Sequence, residues 1–253
     1  MEKINPRGFW SHKPQEENYQ CPLCRDTGWR IIDDQAAACS CRNEQLLAKR
    51  KAKAGLSAAL LEKTFATFKL QYYPEYLKVE QGASYRVLAN KALNAAKDFV
   101  ACQIAGKTSR GLLFEGDVGR GKTFLAAAIA NKLLENDVDT LFLVVPEFLE
   151  QLRYTYQNDS QSNESQLMNK AANVPVLILD DLGAHNFSDW TKNKIFTLIN
   201  YRLNHQLPCV ITSNLSIDQL NNVIDSRTVS RIMEICDVYR LHCDMDLRMK
   251  NQD

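Results

Sequence analysis

The amino-acid sequence predicts an α/β fold in which a parallel β-sheet is flanked by helices and preceded by a small four-cysteine module. Three observations lead to this prediction. Short apolar runs alternate with helix-favouring stretches over residues 112–213, the pattern of a parallel sheet covered on both faces. A glycine-rich turn joins the first run to a helix, and four cysteines fall within residues 21–41. The 253 residues suffice for one such domain and a small accessory module.

The elements follow one another in a regular order. Helix-favouring residues occupy 43–63, with a break at Gly55–Ser57, and an amphipathic helix is predicted over Leu88–Ala101. Strands are predicted at Leu112–Glu115, Thr140–Val145, Val174–Leu179 and Pro208–Ser213. Helices are predicted at Lys122–Asn136, from Pro146 onward, and from the N-cap Ser188 to His205.

Composition and charge exclude several classes of protein. The formal net charge of +1 provides no global basic field, so a nucleic-acid contact would have to rest on local patches. No apolar run approaches the roughly 20 residues that cross a bilayer, and the N-terminus carries no recognisable export signal. We therefore expect a cytoplasmic protein without a membrane partner.

The strongest motif is a complete phosphate-binding loop, G-x-x-x-x-G-K-[ST]. Its residues are Gly116, Asp117, Val118, Gly119, Arg120, Gly121, Lys122 and Thr123. The glycines let backbone N–H groups point at phosphate oxygens, the lysine supplies a positive charge, and the threonine hydroxyl can bind Mg²⁺. Because the motif follows an apolar strand and begins a helix, a chance match is disfavoured and ATP with Mg²⁺ is the expected ligand.

Polar residues also follow the third and fourth predicted strands. Asp180 is the expected partner of Mg²⁺, and Asp181 the expected general base that polarises the attacking water. Asn214 would contact the γ-phosphate or this water. The alternatives are a solvated carboxylate pair and a simple turn residue.

Two arginines lie four residues apart on a predicted helix. Arg227 and Arg231 therefore face the same side, and either could reach the γ-phosphate of a neighbouring subunit as an arginine finger. The choice between them stays open, and a surface or intrahelical ion pair is the alternative.

The cysteine spacing is C-x2-C followed, after fourteen residues, by C-x-C. Cys21, Cys24, Cys39 and Cys41 could converge on Zn²⁺, whose energy would stabilise a module too small for its own core. A redox dithiol and ordinary core cysteines are the alternatives.

Taken together, these motifs resemble the DnaC/DnaI family of replicative helicase loaders, within the AAA+ ATPases. The segments that carry the resemblance are Gly116–Thr123, Leu177–Ala184, Ile211–Asn214 and Arg227–Ile232, over about residues 60–250. Asp181 departs from the glutamate common in AAA+ proteins, although Asp-Asp-Leu-Gly is typical of this family. The resemblance implies an AAA+ core without a separate helical lid, and it makes Arg248 a candidate second nucleotide-sensing arginine.

The resemblance also implies a function and its partners. We expect an ATP-dependent loader that delivers the replicative DNA helicase onto single-stranded DNA, assembles through its ATPase domain and hydrolyses ATP weakly as a monomer. Lys49–Lys53 and Arg153–Tyr156 are candidate DNA contacts, with a solvated helix face as the alternative. The expected domains are 1–45, a zinc-binding partner module; 46–70, a helical linker; and 71–253, the ATPase.

Two other functions are alternatives to the loader. A transposase-helper ATPase of the IstB type has nearly the same motifs, and the four-cysteine module favours the loader over it. A small-molecule kinase would need an acceptor-binding lid that the sequence does not reveal.

Overall fold

The computed structural model describes residues 19–32, 34–79, 82–157, 161–184 and 187–249. The chain forms two compact units, Met1–Ala48 and Lys49–Asp253. Residues 1–18, which the sequence analysis assigned to the zinc-binding module, lie outside the described residues.

The first unit is built around a short antiparallel hairpin. Strand β1 (Trp29–Ile32) pairs with β2 (Gln35–Ala38), and helix α1 (Ser40–Lys53) follows directly. The hairpin places the first and second cysteine pairs side by side, because Cys39 N–H donates to the Gly28 carbonyl across it.

The second unit contains a five-stranded parallel sheet. Its strands are β3 (Gly111–Glu115), β4 (Thr140–Val144), β5 (Val176–Asp180), β6 (Cys209–Ser213) and β7 (Cys236–Arg240). Their spatial order is β4-β5-β6-β3-β7, and every pairing is parallel. All carboxyl ends therefore lie at one edge of the sheet, where ligands bind in open α/β sheets. The predicted fold class is confirmed.

Helices surround this sheet. They are α2 (Ala58–Leu61), a 3-10 turn at Leu70–Tyr72, α3 (Tyr85–Ile104), α4 (Lys122–Glu135), α5 (Val145–Gln157), α6 (Gln161–Asn173), α7 (Asp189–Asn204), α8 (Ile217–Val223) and α9 (Ser226–Ile235). Helix α7 begins where the sequence predicts, since the Ser188 hydroxyl accepts from Thr191 N–H. None of the helices in the described part of the chain combines the length and apolar character needed to span a bilayer.

The interior of the second unit contains a fully buried arginine. Arg202 is fully buried, and its guanidinium donates to five backbone carbonyls and to the Cys209 sulfur. The carbonyls belong to the end of α6 and the residues before β5 and β6. A helix C-terminus carries partial negative charge, so these groups stabilise a buried arginine without a carboxylate.

Residues from the predicted linker segment pack on the second unit. The buried amide of Asn131, on α4, donates to the carbonyls of Leu60 and Lys63, each at 2.8 Å. Phe142 N–H, on β4, donates to the Ala54 carbonyl at 2.7 Å. Segment 54–63 is thereby fixed to β4 and to α4, the helix that follows the glycine-rich turn.

Candidate functional site

The glycine-rich turn connects β3 to α4 at the carboxyl edge of the sheet. Gly119 and Gly121 have φ angles of +74° and +87°, which a side chain would strain. A Cβ on Gly121 would also lie 2.5 Å from the Tyr73 hydroxyl oxygen. The turn therefore keeps its backbone free to approach a ligand, as a phosphate loop requires.

Lys122 lies folded against this loop. Its Nζ donates to the carbonyls of Gly116 and Asp117 at 2.6 and 2.7 Å, and to Asn214 Oδ1 at 2.7 Å. Burial lowers its pKa to about 8, opposed by the nearby carboxylate of Asp181. All three ammonium donors are engaged, so a phosphate must replace at least one of these acceptors.

Asp180 ends β5 beside the first turn of α4. Its Oδ1 accepts from the Thr123 hydroxyl at 2.9 Å and from the Thr212 hydroxyl at 2.6 Å. Burial raises its pKa, and these two hydrogen bonds oppose that rise. A hydroxyl and a carboxylate are the hard oxygen ligands that Mg²⁺ takes, so Thr123 and Asp180 fit this ion.

Asn214 joins the lysine to the second carboxylate. Its Oδ1 accepts from Lys122, while its Nδ2 donates to Asp181 Oδ1 at 2.5 Å. Asp181 has a φ of +62° and its N–H donates to the Thr212 hydroxyl at 2.9 Å. The structure thus brings together Lys122, Asp181 and Asn214, beside the Thr123–Asp180 pair.

A cavity of about 520 Å³ opens beside these residues. Its lining includes the polar residues Lys122, Thr123, Asp180, Asp181 and Asn214 together with an aromatic group. In that group the Phe68 ring stacks on Tyr73 with centroids 5.6 Å apart, and meets Phe124 edge-on at 5.5 Å. Phosphates fit the polar part of the lining and a flat heterocycle fits the aromatic part, so the cavity suits a nucleotide. Arg248 also lines it.

The two candidate finger arginines lie elsewhere on the unit. The cavity lining, drawn from the described residues, includes neither Arg227 nor Arg231. Arg227 lies over the Phe196 ring at 5.3 Å, and Arg231 pairs with Glu234 at 3.0 Å. Both residues are on α9.

The four cysteines converge in the first unit. Their sulfurs all lie within 4.8 Å of one another, with Cys21–Cys39 at 3.8 Å and Cys24–Cys41 at 3.3 Å. Four ligands at about 2.3 Å from a tetrahedral Zn²⁺ have sulfurs about 3.8 Å apart. Gly28 N–H donates to the Cys24 sulfur at 3.4 Å, the kind of hydrogen bond that stabilises a thiolate. The cluster fits Zn²⁺.

Among the candidate DNA contacts, Arg153 and Tyr154 are exposed on α5, whereas the Tyr156 side chain lies outside the described residues. Arg50 forms an ion pair with Asp137. The structure does not bring these basic residues to the nucleotide cavity.

Three features of the site escaped the sequence analysis. Thr212 links both aspartates, Tyr73 donates to the Arg120 carbonyl at 2.8 Å, and Glu115 pairs with Arg240 at the ends of β3 and β7. Thr212 stands in the predicted strand end, so its position was the available signal. The other two depend on pairings between distant segments.

Comparison with known proteins assigns the family. A family described as IstB-like ATP binding protein matches residues 49–251. The chain belongs to this family. ATP binding, which the phosphate loop predicts, is therefore also the family's described property.

Among individual relatives, this IstB-like chain is similar to two helicase loaders. It is 36% identical to the replicative helicase loader DnaI of Bacillus subtilis over 126 residues, which are 49% of the chain and 40% of that protein. It is 28% identical to the replicative helicase loader DnaC of Escherichia coli K12 over 198 residues, 75% of the chain and 80% of that protein. The match to DnaI thus spans less than half of that relative's length.

The fold agrees with a solved relative. A crystal structure of DnaI superposes with a TM-score of 0.60 at 30% identity, covering 74% of this chain and 95% of that one. The resemblance to DnaC/DnaI proteins predicted from the motifs is confirmed.

Proposed function

We propose that this protein is an ATP-dependent loader that delivers the replicative DNA helicase onto single-stranded DNA during the initiation of replication. The observation that carries the proposal is the similarity to DnaI and DnaC, in a chain that also holds the nucleotide cavity. A loader needs a site whose occupancy changes the protein, and the linked contacts of Lys122, Asn214 and Asp181 supply one.

The residues of the cavity divide the work of hydrolysis. The loop N–H groups and Lys122 would hold the phosphates, and Thr123 and Asp180 would hold Mg²⁺, an ion that would supply charge neutralisation. Asp181 would take a proton from water, and Asn214 would orient that water or the γ-phosphate. When Lys122 binds a phosphate instead of Asn214, the Asn214 amide loses one hydrogen-bond partner. Nucleotide binding therefore changes the contacts of Asp181 through the Asn214 side chain.

Self-assembly completes the site. Arg227 and Arg231 lie away from their own cavity, so an arginine finger would be supplied by the next subunit. Hydrolysis by the isolated monomer should therefore be slow. Mixing an Asp181→Asn variant with an Arg231→Ala or an Arg227→Ala variant tests this. ATPase activity recovered in either mixture supports action between subunits, and no recovery in both mixtures contradicts it.

The cysteine cluster holds the partner-binding unit in shape. Zn²⁺ bound to Cys21, Cys24, Cys39 and Cys41 would keep the hairpin folded and leave Trp29 and Ile31 exposed, as they are in this structure. Exposed apolar side chains on a small rigid unit suit protein binding. We assign residues 1–45 to helicase binding, 46–70 to the linker and 71–253 to ATP hydrolysis.

A pull-down against the replicative helicase of the same organism, with and without ATP, tests the function. We expect capture of the helicase and, with ATP, its transfer to single-stranded DNA. Lys122→Ala should retain capture and lose transfer, because the first unit is unchanged. Failure to capture the helicase in either state, together with ATP-dependent stimulation of a DNA transposase, would instead support the IstB-type helper.

A further inference from the structure

The segment after β7 packs along the outer side of the phosphate loop. Residues 241–249, here called the C-terminal strap, form no α-helix in the described structure. Leu241 N–H donates to the Glu115 carbonyl at 2.9 Å, and Leu247 N–H donates to the Gly119 carbonyl at 2.9 Å. These bonds attach the strap to Glu115, which directly precedes the phosphate loop, and to Gly119 in the middle of the loop.

Side chains strengthen this attachment. The Arg120 guanidinium donates to the Met245 carbonyl, and the Cys243 sulfur lies 3.3 Å from the Tyr72 carbonyl. His242 stacks on Tyr85 with ring centroids 5.5 Å apart. Leu241 and Cys243 are buried, so the first half of the strap is part of the packed interior.

Two loop glycines are explained by the strap. A Cβ on Gly116 would overlap the Leu241 carbonyl, and a Cβ on Gly119 would overlap the Asp246 carboxylate. Asp246 in turn accepts from Arg248 N–H at 2.9 Å, which turns the chain so that Leu247 and Arg248 line the cavity. Close backbone approach at these glycines thus serves a protein segment as well as phosphate.

We propose that the C-terminal strap holds the phosphate loop in its nucleotide-binding conformation, with Asp246 as a positioning residue, and that Leu247 and Arg248 complete the cavity wall. The inference rests on the proposal that this cavity takes a nucleoside triphosphate. The described residues after β7 form no helical lid, and the strap instead adds one apolar side chain, Leu247, and one cationic side chain, Arg248, to the cavity wall.

The first test compares ATP binding by the full chain and by a chain ending at Asp244. This truncation keeps the buried Leu241 and Cys243 and removes both attachments to Gly119 and Arg120. Each net hydrogen bond contributes about a factor of five, so loss of the two attachments should weaken ATP affinity by about 25-fold. Unchanged affinity in the truncated chain would overturn the proposal.

A matched pair of variants in the full chain separates positioning from general stability. Asp246→Ala removes the acceptor for Arg248 N–H, whereas Asp246→Asn retains an acceptor oxygen. We expect weaker ATP binding for alanine, recovery for asparagine, and a similar melting temperature for both. Equal ATP affinity in the two variants, or a loss that follows melting temperature alone, would contradict a positioning role.

Hydrogen exchange gives a readout that does not depend on activity. Peptides covering 241–249 should exchange more slowly when ATP is added, since a filled cavity stabilises both walls. If ATP protects the loop peptide but leaves the strap peptide unchanged, the strap proposal fails while ATP binding stands. If the full chain does not bind ATP at all, the nucleotide site itself is refuted.

Discussion

Replacing Asn214 by alanine should separate nucleotide binding from hydrolysis. In the structure this side chain contacts Lys122 through its oxygen and Asp181 through its nitrogen. The variant therefore removes one of three acceptors from the lysine ammonium and one donor from the carboxylate. Both contacts involve a charged partner, and such hydrogen bonds contribute about 1.5–3 kcal/mol each.

For ATP binding, these losses oppose each other. The lysine no longer has to leave Asn214 before it meets a phosphate, which favours binding, while the nucleotide loses the amide as a ligand, which disfavours it. Because the two energies are of similar size, we expect the Kd for ATP to change by less than about threefold.

Hydrolysis should respond differently. Removal of one preorganised polar group at a reacting oxyanion lowers kcat by roughly 10²–10³-fold. We therefore expect kcat to fall about a hundredfold. Phosphate release in the presence of single-stranded DNA and helicase measures the rate, and titration with a fluorescent ATP analogue measures Kd.

The control is Asn221→Ala, which alters an exposed asparagine on α8. It should leave both quantities unchanged. If Asn214→Ala hydrolyses ATP at the wild-type rate, the side chain does not act at the reacting phosphate. If the Kd of Asn214→Ala for ATP rises as far as that of Lys122→Ala, Asn214 is a binding residue and its loss does not separate nucleotide binding from hydrolysis.

Three further predictions follow from other parts of the molecule. Because burial lowers the pKa of Lys122 to about 8, the charged fraction of its side chain falls as pH rises through that value. ATP affinity measured by calorimetric titration should therefore drop above about pH 8, approaching about tenfold per pH unit. In Lys122→Arg the affinity should be nearly insensitive to pH over the same range. Arg202→Ala leaves five buried carbonyls without their donor and should lower the free energy of unfolding by about 3–5 kcal/mol in a denaturant titration, whereas Arg153→Ala on the exposed face of α5 should be nearly neutral. Metal analysis should find one zinc per chain. Chelation of this zinc, or Cys39→Ser, should abolish helicase capture and leave ATP binding intact. A metal-free chain that still captures helicase would contradict the zinc assignment.

Much of the second unit could be predicted from local sequence. Strands β3 to β6 lie within two residues of their predicted bounds, because each is an apolar run buried on both faces. Strand β7 was missed: Cys236–Arg240 is an edge strand with only its first residue buried and with two charged residues, and it resembles a loop in sequence. The hairpin of β1 and β2 was missed because most of its side chains are exposed.

The candidate site shows the same division. Lys122, Thr123 and Asp180 could be predicted because motif and strand position place them at one sheet edge. Tyr73 and Leu247 could not, since they reach the loop from segments 47 residues before Arg120 and beyond β7. Contacts between segments far apart in the chain form only in the completed fold, so no local sequence pattern predicts them.

Helix α4 has a consequence for how the protein distinguishes one nucleotide from another. Its first residues, Lys122 and Thr123, line the cavity, while Asn131, eight positions after Thr123, donates to the carbonyls of Leu60 and Lys63, which also line it. Thr123 and Asn131 are about 12 Å apart along the helix at 1.5 Å per residue, so one rigid helix supports two parts of the cavity wall. A triphosphate whose base displaces Leu60 or Lys63 would shift this helix together with Lys122 and Thr123, so we expect discrimination between bases to affect turnover as well as affinity.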